Sequence, residues 1–427
     1  MNEKMSLFLY NFLMYLSLPL MVGRILLKSI KDSDYKKHFL NRFGIYDNAN
    51  NLKDIVWFHA VSLGEVISSQ NIVKTIAKDN DVVLSVTTPT GLREAKKIFG
   101  LDIEIVYAPW DLKWFISNYF KTYKPKALIL FETEIWPNMI TQSFKNKIPI
   151  ILSNGRMSKS SFERYKKFNF LSNTVFQKIT HAFVQSEAHK GRFNLLGIDN
   201  QRISNVGSVK FDVEINQNPT RNTIEKTILL AASTHKNEDE LVINSYAKLL
   251  KEYQDLKLII VPRHPERAES IQKLLTNSKL KSLLSKEIPQ NFSTNNVHVI
   301  KATGLLKELY SIATISFVGG SLFKEYGGHN IIEPASQNCP FIVGPFMQNF
   351  SDIISEFKNQ DACIQIQNEK ELFNAFQTLL NDVELRDDMS TRAAEVCLRN
   401  QGSLQEQCDT ILEIIRGDKI EISNSNN

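Results

Sequence analysis

The strongest constraint on this chain is a pattern that occurs twice: short apolar runs separated by stretches with helical spacing. In the first half the runs are Ile55–Ala60, Asp81–Val86, Ile103–Ala108, Lys126–Phe131, Ile148–Ser153 and His181–Ser186. The pattern restarts near Ile228 with ILLAAS, then Leu256–Pro262, Val297–Ala302, Thr314–Gly320 and Pro340–Pro345. Strands that are apolar on both faces belong in a parallel sheet covered by helices on both sides. The expected fold class is therefore α/β, with two doubly wound, Rossmann-like halves. The polar segment Ile215–Thr223, which carries Pro219, reads as the linker between them. Two such halves make a cleft, and ligands of such sheets bind outside the carboxyl ends of the strands.

Composition narrows the function classes. A chain of 427 residues has room for two domains, and 43% hydrophobic with 23% charged residues excludes disorder along its length. The formal net charge of +5 is too small to imply nucleic acid but suits an anionic surface or substrate. The four cysteines, Cys339, Cys363, Cys397 and Cys408, form no CxxC pair, which argues against a disulfide framework or structural zinc. From Met5 to Gly23 no residue is charged, a run close to the roughly 20 residues that cross a bilayer. The run lacks the basic start and small-residue cleavage site of a signal peptide, and Arg24, Lys28, Lys31, Lys36 and Lys37 follow it. It reads as an uncleaved anchor, spanning or in-plane, with the remainder cytoplasmic. An apolar helix buried in the first domain is the competing reading.

The phosphate-loop, dinucleotide, zinc-protease and nucleophile-elbow motifs are absent. The D-x-D triplets Asp32–Asp34 and Asp79–Asp81 read as solvated turns, so no metal is expected. Five loops carry chemistry. In His59–Glu65 a strand ends, a Ser/Gly turn follows, and a helix opens with a carboxylate able to take a proton from a hydroxyl. The helix dipole is expected to keep Glu65 ionised; taken alone, a Glu that merely matches the dipole explains the segment as well. Phe131–Asn138 places Glu132 and Glu134 beside Trp136 at a strand end. Gly207–Asp212 offers Lys210 to a phosphate or carboxylate, or simply to solvent. Val261–Arg267 is a stiff cationic turn with two arginines, a histidine and two prolines, suited to phosphate. Paired glycines at Gly319-Gly320 and Gly327-Gly328 are expected to offer backbone N–H groups to a ligand, with Glu333 placed for ribose hydroxyls.

In order and spacing, HAVSLGE (59–65), TTPTG (87–91), ETEIWPN (132–138), GSVKFD (207–212), ASTHKNE (232–238), VPRHPER (261–267), FVGGSL (317–322), GGHNIIEP (327–334) and GPFMQNF (344–350) resemble the 3-deoxy-D-manno-octulosonic acid (Kdo) transferases of lipopolysaccharide synthesis. The resemblance spans nearly the whole chain. It implies the GT-B fold with two domains facing across a cleft: an anchor over 1–30, an acceptor-binding domain over 31–215, a linker over 216–223, a CMP-sugar-binding domain over 224–420 and a tail over 421–427. It implies inverting, metal-independent transfer of Kdo from CMP-Kdo to a lipid A precursor at the cytoplasmic side of a bacterial inner membrane, with no cofactor. By motif, Glu65 matches the general base, and Glu132 and Lys210 match transition-state stabilisers. Pro262, Arg263, Thr303, Gly304, Leu305, Asn330, Ile331, Ile332 and Glu333 match CMP contacts. The 303–305 segment departs from the family's Met-Gly-Glu pattern, which leaves a side-chain role for Leu305 in question. Two other readings compete: a membrane-associated GT-B enzyme using a UDP-sugar, and a two-domain binding protein without a base.

Overall fold

A computed structural model describes residues 3–46, 52–216, 218, 226–289 and 296–417. The expected tail over 421–427 lies outside the described residues, as does most of the linker expected over 216–223. The chain forms two compact units, one from Met1–Asp212 with Gln401–Asn427 and one from Val213–Asn400.

The first unit holds a seven-stranded parallel sheet of β1 (Val56–His59), β2 (Val82–Val86), β3 (Glu104–Tyr107), β4 (Ala127–Phe131), β5 (Ile150–Gly155), β6 (His181–Val184) and β7 (Ile203–Asn205), in the order 3-2-1-4-5-6-7. The second unit repeats the plan with β8 (Ile228–Thr234), β9 (Lys257–Pro262), β10 (Ser282–Ser285), β11 (Val297–Ile300), β12 (Ile315–Val318), β13 (Phe341–Val343) and β14 (Ile364–Gln365), ordered 10-11-9-8-12-13-14.

Alternation along each strand feeds two cores. On β1, Trp57 joins the layer with Leu128, Leu130 and Leu152, while Val56 and Phe58 join Ile72, Ile129 and Phe131 on the other face. Trp57 stacks on Tyr119 with ring centroids 3.9 Å apart and donates its indole N–H to Ser85 Oγ at 2.8 Å, so its polar end is satisfied inside the core. In the second unit Leu229 and Ala231 face one layer, Ile228, Leu230 and Ala232 the other.

Three strands were not expected: β7, β10 and β14. Each lies at the edge of its sheet. An edge strand has a neighbour on one side only and needs no continuous apolar run, although β3 at the other edge of the first sheet has one; Ser282–Ser285, for instance, is nowhere fully buried. A further correction concerns the chain's end. Two helices, Val383–Arg399 and Ser403–Arg416, close the described chain, separated by Gly402 at φ +102°. The second of these belongs to the first unit, not to a domain running over 224–420. Its Cys408, Ile411 and Ile414 sit in the Phe58 core, and Asp212 accepts from Gly402 N at 2.7 Å and Leu404 N at 2.8 Å to cap it.

The apolar N-terminal run forms one helix, Glu3–Lys31, uninterrupted at Pro19. It docks by polar groups. Ser6 Oγ donates to Phe170 O at 3.2 Å, Tyr10 Oη to Asp111 Oδ2 at 2.9 Å, and Asn11 Nδ2 to Asn138 Oδ1 at 3.1 Å. Phe8, Leu16, Leu20, Leu27 and Ile30 stay exposed, so the helix is not buried in the first unit. By length and composition it is apolar enough to cross a membrane. The Asp32–Asp34 triplet is a turn whose carboxylates pair with Arg93.

Candidate functional site

In the first sheet the chain runs from β1 outward to β2 and β3, then restarts on the other side of β1 with β4. The loops after β1 and β4 therefore part at the topological switch point, where ligands of such sheets bind. The loop after β1 carries Glu65. Ser62 caps the helix Leu63–Ile76, accepting from Glu65 N at 3.4 Å. Glu65 reaches back to accept from Val61 N at 2.8 Å and from Ser62 Oγ at 2.9 Å. This is a capping box, and it fixes the carboxylate's position. The expectation that Glu65 stays ionised is corrected. Burial, then the neighbouring carboxylate of Glu134, push its pKa up to about 8 against the pull of these two donors. The helix dipole is worth too little to offset both.

The loop after β4 carries Glu132 and Glu134. Glu132 sits at φ +58°, a left-handed conformation unfavourable for a side chain with a Cβ, held by its N–H bonding Ser153 O at 2.9 Å. Its Oε1 receives Lys210 Nζ at 3.0 Å and its Oε2 faces Arg156 Nε at 3.4 Å. Glu134 accepts from the Trp136 indole at 2.9 Å, and burial pushes its pKa up to about 7. The first unit thus gathers Glu65, Glu132 and Lys210 in one place, together with Glu134 and Arg156. Three carboxylates with two cations supply a proton acceptor beside groups able to hold an anion.

The second sheet reverses between β8 and β12. Pro262 ends β9, next to β8, and Arg263 N bonds Thr234 O at 3.0 Å. The Arg263 guanidinium is exposed and has no partner among the described residues. Arg267 is engaged, donating to Thr234 O at 3.0 Å and pairing with buried Asp239. Beyond β11, Thr303 and Gly304 are exposed, and Leu305 packs with its side chain against the core. That packing gives Leu305 a structural use. Beyond β12, Asn330 Oδ1 caps Ile332 N at 3.1 Å and Ile331 and Ile332 are buried; burial raises the Glu333 pKa.

The Gly319-Gly320 turn differs from expectation. Its N–H groups are taken: Gly319 N bonds Ala232 O, and Gly320 N, Ser321 N and Leu322 N bond the buried carboxylate of Glu238 at 2.7, 3.0 and 3.0 Å. Glu238 also accepts from His235 N at 2.8 Å. The turn is shaped by this carboxylate and offers those groups to no ligand. A Cβ on Gly344 would meet Ser321 O at 2.2 Å, so a glycine must pass there.

Sequence reasoning missed Arg156, Glu238 and the histidines His235 and His329. Arg156 had a signal, since it follows an apolar strand as Arg263 does. Glu238 had a weaker one, an acidic residue opening a helix after a strand.

Comparisons with known proteins agree along the chain. Residues 37–213 match the family model described as 3-deoxy-D-manno-octulosonic-acid transferase (kdotransferase), and residues 211–396 match that described as glycosyl transferases group 1. The chain is 32% identical to the 3-deoxy-D-manno-octulosonic acid transferase of Haemophilus influenzae over 95% of this chain and 97% of that protein. It is 31% identical to the same-named protein of Rickettsia bellii, covering 94% and 98%. Among solved structures, a putative UDP-N-acetylglucosamine 2-epimerase from Listeria monocytogenes aligns with TM-score 0.57 over 86% of this chain and all of that one; at 12% identity it speaks for the fold alone.

Proposed function

The chain belongs to the Kdo transferase family and has its GT-B fold, and from that premise we propose that it transfers Kdo from CMP-Kdo to a hydroxyl of a lipid A precursor, with inversion, in lipopolysaccharide core synthesis. The observation that carries this reading is the cluster at the first switch point, where Glu65, with its pKa near 8, lies beside the Glu132–Lys210 pair.

Glu65 takes the acceptor's hydroxyl proton as the oxygen attacks the anomeric carbon. The bond from that carbon to the phosphate oxygen breaks, and CMP leaves with the electron pair. A base with pKa near ambient pH is matched to this task. Lys210, oriented by Glu132, stabilises negative charge as it shifts in the transition state. The leaving phosphate needs cations rather than a proton, and Arg263 is an unengaged one. Pro262, Arg263, residues 303–305 and Asn330–Glu333 hold CMP, and the residues named carry the step without metal.

In this reading the helix Glu3–Lys31 holds the enzyme at the cytoplasmic face of the inner membrane, where an acylated, phosphorylated acceptor resides. Its exposed apolar side chains and the cations Arg24, Lys28 and Lys31 support binding to an anionic lipid surface. Ser6, Tyr10 and Asn11 tie its first turns to Phe170, Asp111 and Asn138 of the first unit, which favours a helix lying in the membrane plane.

The donor is tested by thermal shift. CMP is expected to raise the melting temperature at concentrations where UDP does not. Protection by UDP alone would replace this reading with that of a UDP-sugar enzyme.

A further inference from the structure

At the switch point of the second sheet, two histidines face each other. His235 follows β8 and His329 precedes the helix Ile332–Ser336; their Nε2 atoms lie 2.8 Å apart with the rings nearly parallel, 11° from coplanar orientation. Tyr326 stacks on His235 at 3.9 Å, and His264 meets it edge-on at 5.7 Å. The arrangement is built. A Cβ on Gly320 would come within 2.8 Å of His329 Nε2, so only glycine leaves room for that ring. Ser233, at the irregularity of β8 two residues before His235, holds a left-handed φ of +55°.

Two Nε2 atoms at this distance share one proton. One ring carries it and donates; the other accepts and has its own proton on Nδ1. The donor ring's Nδ1 is then bare, and neither Nδ1 has a protein partner among the described residues. One added proton turns that bare acceptor into a donor without breaking the inner hydrogen bond. The pair then presents two outward N–H groups and a positive charge.

We propose that the His235–His329 pair is an oxyanion seat that takes up one proton from solvent when an anionic group of the ligand binds beside Arg263. This rests on the reading that the second unit holds the CMP-sugar, and it names two residues and a proton that the reading does not. Burial, then the neighbouring imidazoles and guanidiniums, oppose that proton, holding His235 down to about 4 and His329 to about 3. The groups facing the pair are Arg263, His264 and Arg267 from the turn after β9, Tyr326 from the loop after β12, and Glu238 and Asp239 from the start of the helix Glu238–Leu249. Arg267 still acts on His235 although it is paired with Asp239, and Glu238 is bound to backbone N–H groups. Arg263 lowers both histidines and is unpaired among the described residues, so it is the cation whose field an arriving anion cancels. Two groups of a CMP-sugar bring an oxyanion, the phosphate and the sugar's carboxylate.

Isothermal titration calorimetry of the full chain, in buffers of different ionisation enthalpy, reads the proton directly. At about pH 7.5 free CMP is already a dianion, since its second pKa is about 6, so the phosphate itself exchanges little. Above about pH 7, where CMP stays a dianion, CMP or free Kdo is expected to bind with net proton uptake that grows as pH falls, while cytidine binds without it. Uptake with CMP but not Kdo assigns the seat to the phosphate, and the reverse assigns it to the carboxylate. His329→Gln and His235→Gln are expected to bind with at least 10-fold loss of affinity and no uptake. CMP and Kdo binding to the wild type without protons, or uptake unchanged in both variants, would overturn the proposal and leave the nucleotide reading intact. Absence of any CMP binding would overturn that reading as well.

Discussion

Replacing Glu65 with Gln is expected to slow Kdo transfer by about 10²–10⁴-fold while leaving CMP affinity unchanged. Gln keeps the capping box, because its amide oxygen accepts from Val61 N and its NH₂ reaches Ser62 Oγ. It removes only the ability to take a proton. In the wild type, kcat/KM is expected to rise with pH and level off above about 8, following ionisation of Glu65. The same shift has an opposite signature in stability. A carboxyl whose pKa is raised in the folded state binds more protons folded than unfolded, so its contribution is full below about 4.5 and is lost as pH rises through about 8. Glu65→Gln has no such loss. Relative to the wild type it is expected to gain stability as pH rises from about 5 to about 8, by about 2–4 °C in Tm for each kcal/mol. Equal Tm differences at both ends of that range would show that Glu65 titrates normally, and wild-type turnover would remove it as the base.

Replacing Glu238 with Ala is expected to be the most damaging single change in the second unit. Four backbone N–H groups, from His235, Gly320, Ser321 and Leu322, end on this one carboxylate. Each orphaned buried N–H costs about 1–3 kcal/mol, and water entering the gap recovers part, so a loss of about 3 kcal/mol is expected. The Gly319-Gly320 turn and His235 lose their common support, and CMP affinity is expected to fall about 100-fold. Gln does not rescue. Each carboxylate oxygen takes two donors, and an amide would turn its NH₂ toward one of those pairs. Calorimetry with CMP on Glu238→Gln separates this from simple packing loss: near-wild-type affinity would contradict the bonding described.

The two parallel sheets were legible because strands buried on both faces must be continuously apolar, as in Ile55–Ala60 and Leu256–Pro262. The edge strands β7, β10 and β14 were not, because a half-covered strand needs no such run. Candidate residues at strand ends were legible where an acid or arginine followed an apolar run, as with Glu65, Glu132 and Arg263. What the pattern hid was interaction at a distance in sequence. Glu65 looked ionised because the helix dipole is visible locally, while Glu134, which raises its pKa, stands 69 positions on. The glycine turn looked open because Glu238 lies 82 positions before Gly320. The last helix looked like part of the second half by order, yet Gln407 reaches Ser153 and Asn154 across more than 250 positions.

Mass spectrometry of a tetra-acylated, bis-phosphorylated lipid A precursor, incubated with CMP-Kdo and the full-length protein, tests the central claim most directly. The acceptor is expected to gain mass in whole Kdo increments with the wild type and not with Glu65→Gln. An acceptor left unchanged by the wild type, or modified equally by the variant, would contradict it.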